Sequence, residues 1–136
     1  MAVVEELIRK EADGTISFGN HMLKDKAKLE DFEHCGDLYK VKTYKTMTRL
    51  ERNGMFVYES VPGTSVSQFE ETADKISFKV EGDEDAQITV GLKEDTEYEV
   101  FVNAQSIGKM KTNLSGKLNI SALLAQAGEV SITITK

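Results

Sequence analysis

Lys40, Lys42 and Tyr44 share one parity of the basic stretch DLYKVKTYKTMTRLER, residues 37–52. An aromatic ring beside two ammonium groups on a wet strand face can bind an anionic sugar. The ring stacks on the apolar face of a pyranose, and the ammoniums meet a carboxylate or sulfate. The same pattern also serves cross-strand pairing with acids, or lysines that guard an exposed sheet edge. The chain has no Trp, the strongest stacking platform. Lys40, Lys42, Lys45, Arg49 and Arg52 stand here against Asp37 and Glu51, in a chain whose formal net charge is −6.

Other chemistry is sparser. His34 and Cys35 are adjacent, and on an extended strand adjacent side chains point to opposite faces. The expectation is therefore a small, buried or half-buried thiol rather than a Cys–His pair. His21 reaches Cys35 only if the fold brings it there. Two His and one Cys without a C-x-x-C or H-x-x-x-H spacing do not make a zinc site. Glu81, Asp83 and Asp85 in EGDEDA, with Glu84, are hard oxygen ligands in a Gly-containing turn and form the one calcium candidate. The twelve-residue loop pattern is missing, and a solvated acidic loop has the same composition. Neither GxxxxGK[ST] nor GxGxxG occurs. The 23 acidic residues offer many carboxylate pairs and single out none. The expectation is no catalytic residue and no cofactor.

The elements that must position these residues repeat with period two. Ile76, Phe78 and Val80 alternate with polar neighbours, as do Ile88, Val90 and Leu92; Tyr98, Val100 and Val102; Leu118, Ile120 and Ala122; and Val130, Ile132 and Ile134. One dry face and one wet face per strand belongs to antiparallel sheets. Asp13-Gly14, Gly36-Asp37, Asn53-Gly54, Gly82-Asp83, Ser115-Gly116 and Gly128 punctuate the runs, and Asn-Gly and Asp-Gly suit type I′ hairpins. Pro62-Gly63 suits the central pair of a type II turn. Residues 2–11 fit a strand better than the short helix that their spacing also allows, and residues 121–128 have room for one helical turn. Tyr39, Val41 and Met47 fall on the opposite parity to Tyr44, Thr46 and Thr48.

In NGMFVYESVPGT both parities are apolar: Met55 and Val57 on one, Phe56 and Tyr58 on the other. Such a strand is either central and covered, or it offers Phe56 and Tyr58 to another subunit. The pattern as a whole predicts one all-β domain over residues 1–136, an antiparallel β-sandwich or jelly-roll-like fold with at most one short helix. Residues 70–75 are its one plausible seam.

A pI near 5.0 and the negative net charge speak against nucleic acid and against an anionic membrane surface. A single Cys builds no internal disulfide, and MAVVEELIRKEADG has no basic region before an apolar one, so a cytoplasmic location is expected.

DGTISFGN, GDLYKVKTYK, LERNGMFVYESVPGT, EDAQITVGL, TEYEVFV and GKMKTN together resemble a group of short bacterial proteins of about this length, some of which carry the label endosialidase. That resemblance implies a glycan-acting enzyme or an accessory domain of one. Sialidases hold the substrate carboxylate with three arginines, and this chain has Arg9, Arg49 and Arg52; no catalytic residue carries over. The residues themselves favour a non-catalytic binding or assembly module, a homo-oligomer with an acidic glycan or a protein as ligand. A purely structural homo-oligomer is the remaining alternative.

Overall fold

The computed structural model describes residues 3–136, and these form thirteen strands and no helix. In chain order they are β1 (Ile8–Lys10), β2 (Ile16–Phe18), β3 (Ala27–His34), β4 (Asp37–Thr43), β5 (Thr48–Arg52) and β6 (Met55–Val61). There follow β7 (Ser65–Glu71), β8 (Lys75–Glu81), β9 (Ala86–Gly91), β10 (Glu97–Val102), β11 (Gln105–Lys111), β12 (Lys117–Ala122) and β13 (Val130–Thr135). One sheet has the order β1-β2-β7-β8-β13-β10-β11 and the other β12-β9-β6-β5-β4-β3. Every pairing is antiparallel. The two open sheets make a β-sandwich.

Alternation is the reason. Ile76, Phe78 and Val80 of β8 are buried, and so are Val130, Ile132 and Ile134 of β13 directly beside them. Ile88 and Val90 of β9, facing Ile120 and Leu118 of β12, build the opposite wall. An aromatic cluster joins the walls. Tyr58 of the six-stranded sheet meets Phe18 edge-on at 5.3 Å and Phe78 at 5.6 Å, and Phe69 lies 5.7 Å from Phe18. Such edge contacts add to plain area burial. Residues 72–74 are the β7–β8 turn, closed by Thr72 N–H donating to Lys75 O, so the expected seam lies inside a single hairpin.

Several local expectations are corrected. Only Ile8–Lys10 of the N-terminal run is a strand; Leu7 sits at φ 73° and interrupts it, and residue 2 lies outside the described residues. Residues 123–128 form a turn, with Ala127 N–H on Leu124 O, rather than a helical turn. Asn53 (φ 51°) and Gly54 (φ 79°) make the expected I′ turn. The β3–β4 turn uses Cys35 and Gly36 instead of Gly36-Asp37, and Gly14 alone is left-handed at Asp13-Gly14. Gly63 has no positive φ, so Pro62-Gly63 is not the type II pair. A Cβ on Gly63 would lie 1.9 Å from Tyr44 O, so the position needs glycine for room.

The largest parity error comes from the same place. β4 ends at Thr43, and residues 44–47 turn, with Tyr44 N–H donating to Met47 O. The turn resets the alternation, so Thr48 faces the interior and is fully buried.

Candidate functional site

The basic stretch is thus a hairpin, β4–β5, with Lys40, Lys42 and Arg49 on the outer face of the six-stranded sheet, Lys45 in the turn and Arg52 directed to Glu71 of the other sheet. Lys40 pairs with Glu51 across the ladder and sends its ammonium to Glu30 at 3.4 Å. Lys42 lies between Lys28 and Arg49. Arg49 in turn meets Glu51 at 3.2 Å and Glu59 at 3.5 Å. Tyr44 is off the strand, half-buried in the turn, with Lys26 Nζ 5.9 Å from its ring. Lys40, Lys42 and Tyr44 therefore form no common platform: one lysine is neutralised and the ring belongs to a different element.

An aromatic ring beside cationic groups is found instead at Phe56. β6 carries a bulge: Tyr58 opposes Leu50, whereas Phe56 opposes Glu51. Val57 is the extra residue, and it and Tyr58 both turn inward. That shift explains why both parities of the strand are apolar. Tyr58 is fully buried, with its hydroxyl 2.7 Å from Thr64 Oγ1, so it has no surface to offer another subunit. Burial raises the phenol above its usual range. Phe56 is turned to the outer face and half-buried, and Lys117 Nζ (4.8 Å) and Arg49 Cζ (5.4 Å) sit over its ring. Gly91 makes room beneath it, since a Cβ there would lie 3.2 Å from Phe56 Cδ1.

Phe56 lines a cleft of about 380 Å³ at one end of the sandwich, between the two sheets. The six-stranded sheet contributes Arg52, Phe56 and Lys117, the loop after β9 contributes Lys93, and the other sheet contributes Lys75 and Tyr98. Lys136 follows β13, and among the described residues Glu71 and Asp74 supply the side-chain carboxylates of the lining. Both are engaged. Arg52 donates to Glu71, whose carboxylate raises the guanidinium above its ordinary value, with burial opposing and the Tyr39 hydroxyl adding to it. Asp74 lies 3.9 Å from Lys136 Nζ. Among the described residues Lys75, Lys93 and Lys117 make no ion pair. The Lys93 amide is held by the Tyr98 hydroxyl at 3.3 Å, which fixes the loop that carries this side chain. Three lysines that make no ion pair among the described residues thus line one cleft with Phe56, and one of them, Lys117, sits over its ring.

His21, left unassigned by sequence, sits in a Ser–His–Asp arrangement. Its Nδ1 is 2.7 Å from Ser65 Oγ and its Nε2 is 3.5 Å from Asp83 Oδ1, without a hydrogen bond at Nε2. Ser65 is only 2% exposed and His21 Nε2 is not hydrogen-bonded to Asp83, so the group has neither the accessible hydroxyl nor the oriented imidazole of an acyl-transfer triad. Cys35 is exposed, contrary to expectation, because it occupies the β3–β4 turn. There its sulfur comes within 3.5 Å of His34 Nε2. That nitrogen also contacts Gly14 O at 3.1 Å, and a carbonyl only accepts. Nε2 therefore carries the proton and does not serve as a base for the thiol.

The calcium candidates are dispersed. Asp83 turns to His21, Asp85 accepts the Ala125 N–H at 3.0 Å, and Glu81 ends β8. No three His, Cys, Asp or Glu among the described residues converge as a metal group. The arginines do not converge on a free site either. Arg9 is held by Glu6 and Glu11, Arg49 by Glu51 and Glu59, and Arg52 by Glu71.

The β1–β2 hairpin carries a titration signature. The Ser17 hydroxyl donates to Glu11 and lowers its pKa, against the opposing effect of burial and with help from Arg9. Thr15, through its hydroxyl at 2.6 Å and its amide at 3.0 Å, lowers that of Asp13. Both folded values lie below the unfolded ones, so the stability they contribute is present above the unfolded values. It is lost as pH falls through the folded ones. Amide exchange at Thr15 and Ser17, taken relative to the intrinsic rate at each pH, should accelerate below about pH 4 before that of strands β8 and β13 does. Glu11→Gln should flatten that dependence; equal acceleration in both hairpin and core would refute it.

Compared with known proteins, the chain matches no protein-family model, no curated protein and no solved structure.

Proposed function

We propose that the protein is a non-catalytic binding module for an anionic carbohydrate, which it takes in the end cleft. One observation carries the reading: Lys75, Lys93 and Lys117, which make no ion pair among the described residues, line one cleft with Phe56 in a chain of net charge −6. The ring supplies an apolar wall beside Lys117, and the ammoniums meet carboxylates or sulfates of the sugar. The cleft's own carboxylates, Glu71 and Asp74, are engaged by Arg52 and Lys136, which favours binding over acid–base hydrolysis.

The test is thermal unfolding and calorimetric titration with a uronic-acid oligosaccharide and a neutral one of equal length, at low and high salt. The acidic sugar should raise stability by about 2.7 kcal/mol at a hundred times its Kd, and less at high salt. Lys93→Glu with Lys117→Glu should abolish the rise, and Phe56→Ala should weaken binding about tenfold. Lys28→Glu with Lys42→Glu, which changes as much charge outside the cleft, should leave most of it. Equal response to both sugars, or none to either, would overturn the proposal.

A further inference from the structure

The sandwich has four open sheet edges, and three are blunted. β1 has three residues and is preceded by Leu7 at φ 73°. β3 is bulged between Leu29 and Phe32, where Asp31 sits at φ 59°, and carries Glu30 and Glu33. β11 contains Gly108 at φ 112°, a register shift against β10, and Lys109 and Lys111. These are the devices by which sheets avoid edge-to-edge pairing.

β12 has none of them. It runs for six residues in unbroken register with β9, from Lys117↔Gly91 to Ala122↔Ala86. Its one charge, Lys117, is folded back over Phe56, two strands inward, and so does not guard the edge. The rest of its outer row is neutral and ordered: Thr89 Oγ1 donates to Asn119 Oδ1 at 2.6 Å, and Gln87 Nε2 to Ser121 Oγ at 2.8 Å. Leu114 and Leu123, 83% and 75% exposed, flank the strand at its two ends.

We propose that β12 is a docking edge for a second copy of this chain, pairing antiparallel with its own symmetry mate about Asn119. An unpaired ladder calls for a strand, and this strand is complementary to itself. With the two-fold at Asn119, Lys117 faces Ser121 of the other copy, so no like charges meet. At each end of the seam Leu123 of one copy comes to Leu114 of the other, so each exposed leucine gains an apolar neighbour and the contact is made twice. The two six-stranded sheets become one continuous sheet.

Sedimentation velocity from micromolar to millimolar protein tests the pairing. The wild-type chain should show a concentration-dependent dimer. Ser121→Lys puts on the β12 edge the kind of charge by which sheets avoid edge pairing and should weaken the dimer about tenfold or more. Leu114→Ser should also weaken it, and Gln105→Lys on the β11 edge should not. Far-ultraviolet circular dichroism distinguishes a lost dimer from a lost fold. A wild-type chain that stays monomeric throughout, or a dimer equally strong in Ser121→Lys, overturns the proposal. A dimer weakened by Gln105→Lys alone would overturn it in favour of the opposite edge.

Discussion

Tyr58→Ala is expected to lower the unfolding free energy by about 3–5 kcal/mol, the usual cost of truncating a buried aromatic ring. Tyr58 is the member of the six-stranded sheet whose ring reaches Phe18 and Phe78 of the other sheet. Truncation would leave a void between the sheets and strip two edge contacts at once. The hydroxyl is a smaller part of the effect. It bonds Thr64 Oγ1, which also has Ser60 Oγ at 2.8 Å, so Tyr58→Phe leaves Thr64 with a partner. The phenylalanine variant should therefore cost about 1 kcal/mol. Urea unfolding of the three proteins separates ring from hydroxyl, and comparable losses in both variants would show that the packing argument fails. With stabilities of about 5–15 kcal/mol for domains of this kind, the alanine variant is expected to sit close to the edge of folding.

Thr48→Val is expected to cost about 2–4 kcal/mol although it preserves shape, because it orphans buried polar groups. The protons around Thr48 can be assigned. Its hydroxyl donates its single hydrogen to Thr64 O at 2.7 Å and accepts the Thr64 N–H at 3.1 Å. The 2.8 Å contact with Thr43 Oγ1 must then have Thr43 as donor, while Thr43 Oγ1 accepts the Asn20 N–H. Valine removes an acceptor for two donors and a donor for one carbonyl, at a site with no solvent exposure. Thr48→Ser retains the hydroxyl and should lose about 1 kcal/mol, the value of the missing methyl group. Chemical denaturation of the valine and serine variants checks the difference; equal losses would mean that the methyl, not the hydroxyl, matters.

The period-two runs made the sandwich legible. Residues such as Ile76, Phe78 and Val80 face the core because side chains alternate on any strand, whatever its neighbours. The same rule failed where the strand was not continuous. Alternation alone puts Thr48 on the wet face, because the turn at 44–47, which resets parity, has no Gly or Pro to announce it. Phe56 and Tyr58 were read as one apolar face because a bulge adds Val57 to the count, and no pattern in NGMFVYES marks a bulge. An extended backbone would keep the His34 and Cys35 side chains apart, but Cys35 lies in the left-handed region.

The site itself was legible only as chemistry. An aromatic ring beside ammonium groups was expected, at Tyr44 with Lys40 and Lys42; the cleft assembles it from Phe56, Lys75, Lys93 and Lys117. By itself the sequence determined the all-β class, the inward residues of the regular strands and the excess of acid over base, because composition and alternation are local properties of the chain. Only the tertiary structure decided which residues share a cleft and which edge is left bare. Both depend on strand order and on how one sheet lies over the other, and side-chain alternation is the same for every order in which thirteen strands could be laid side by side.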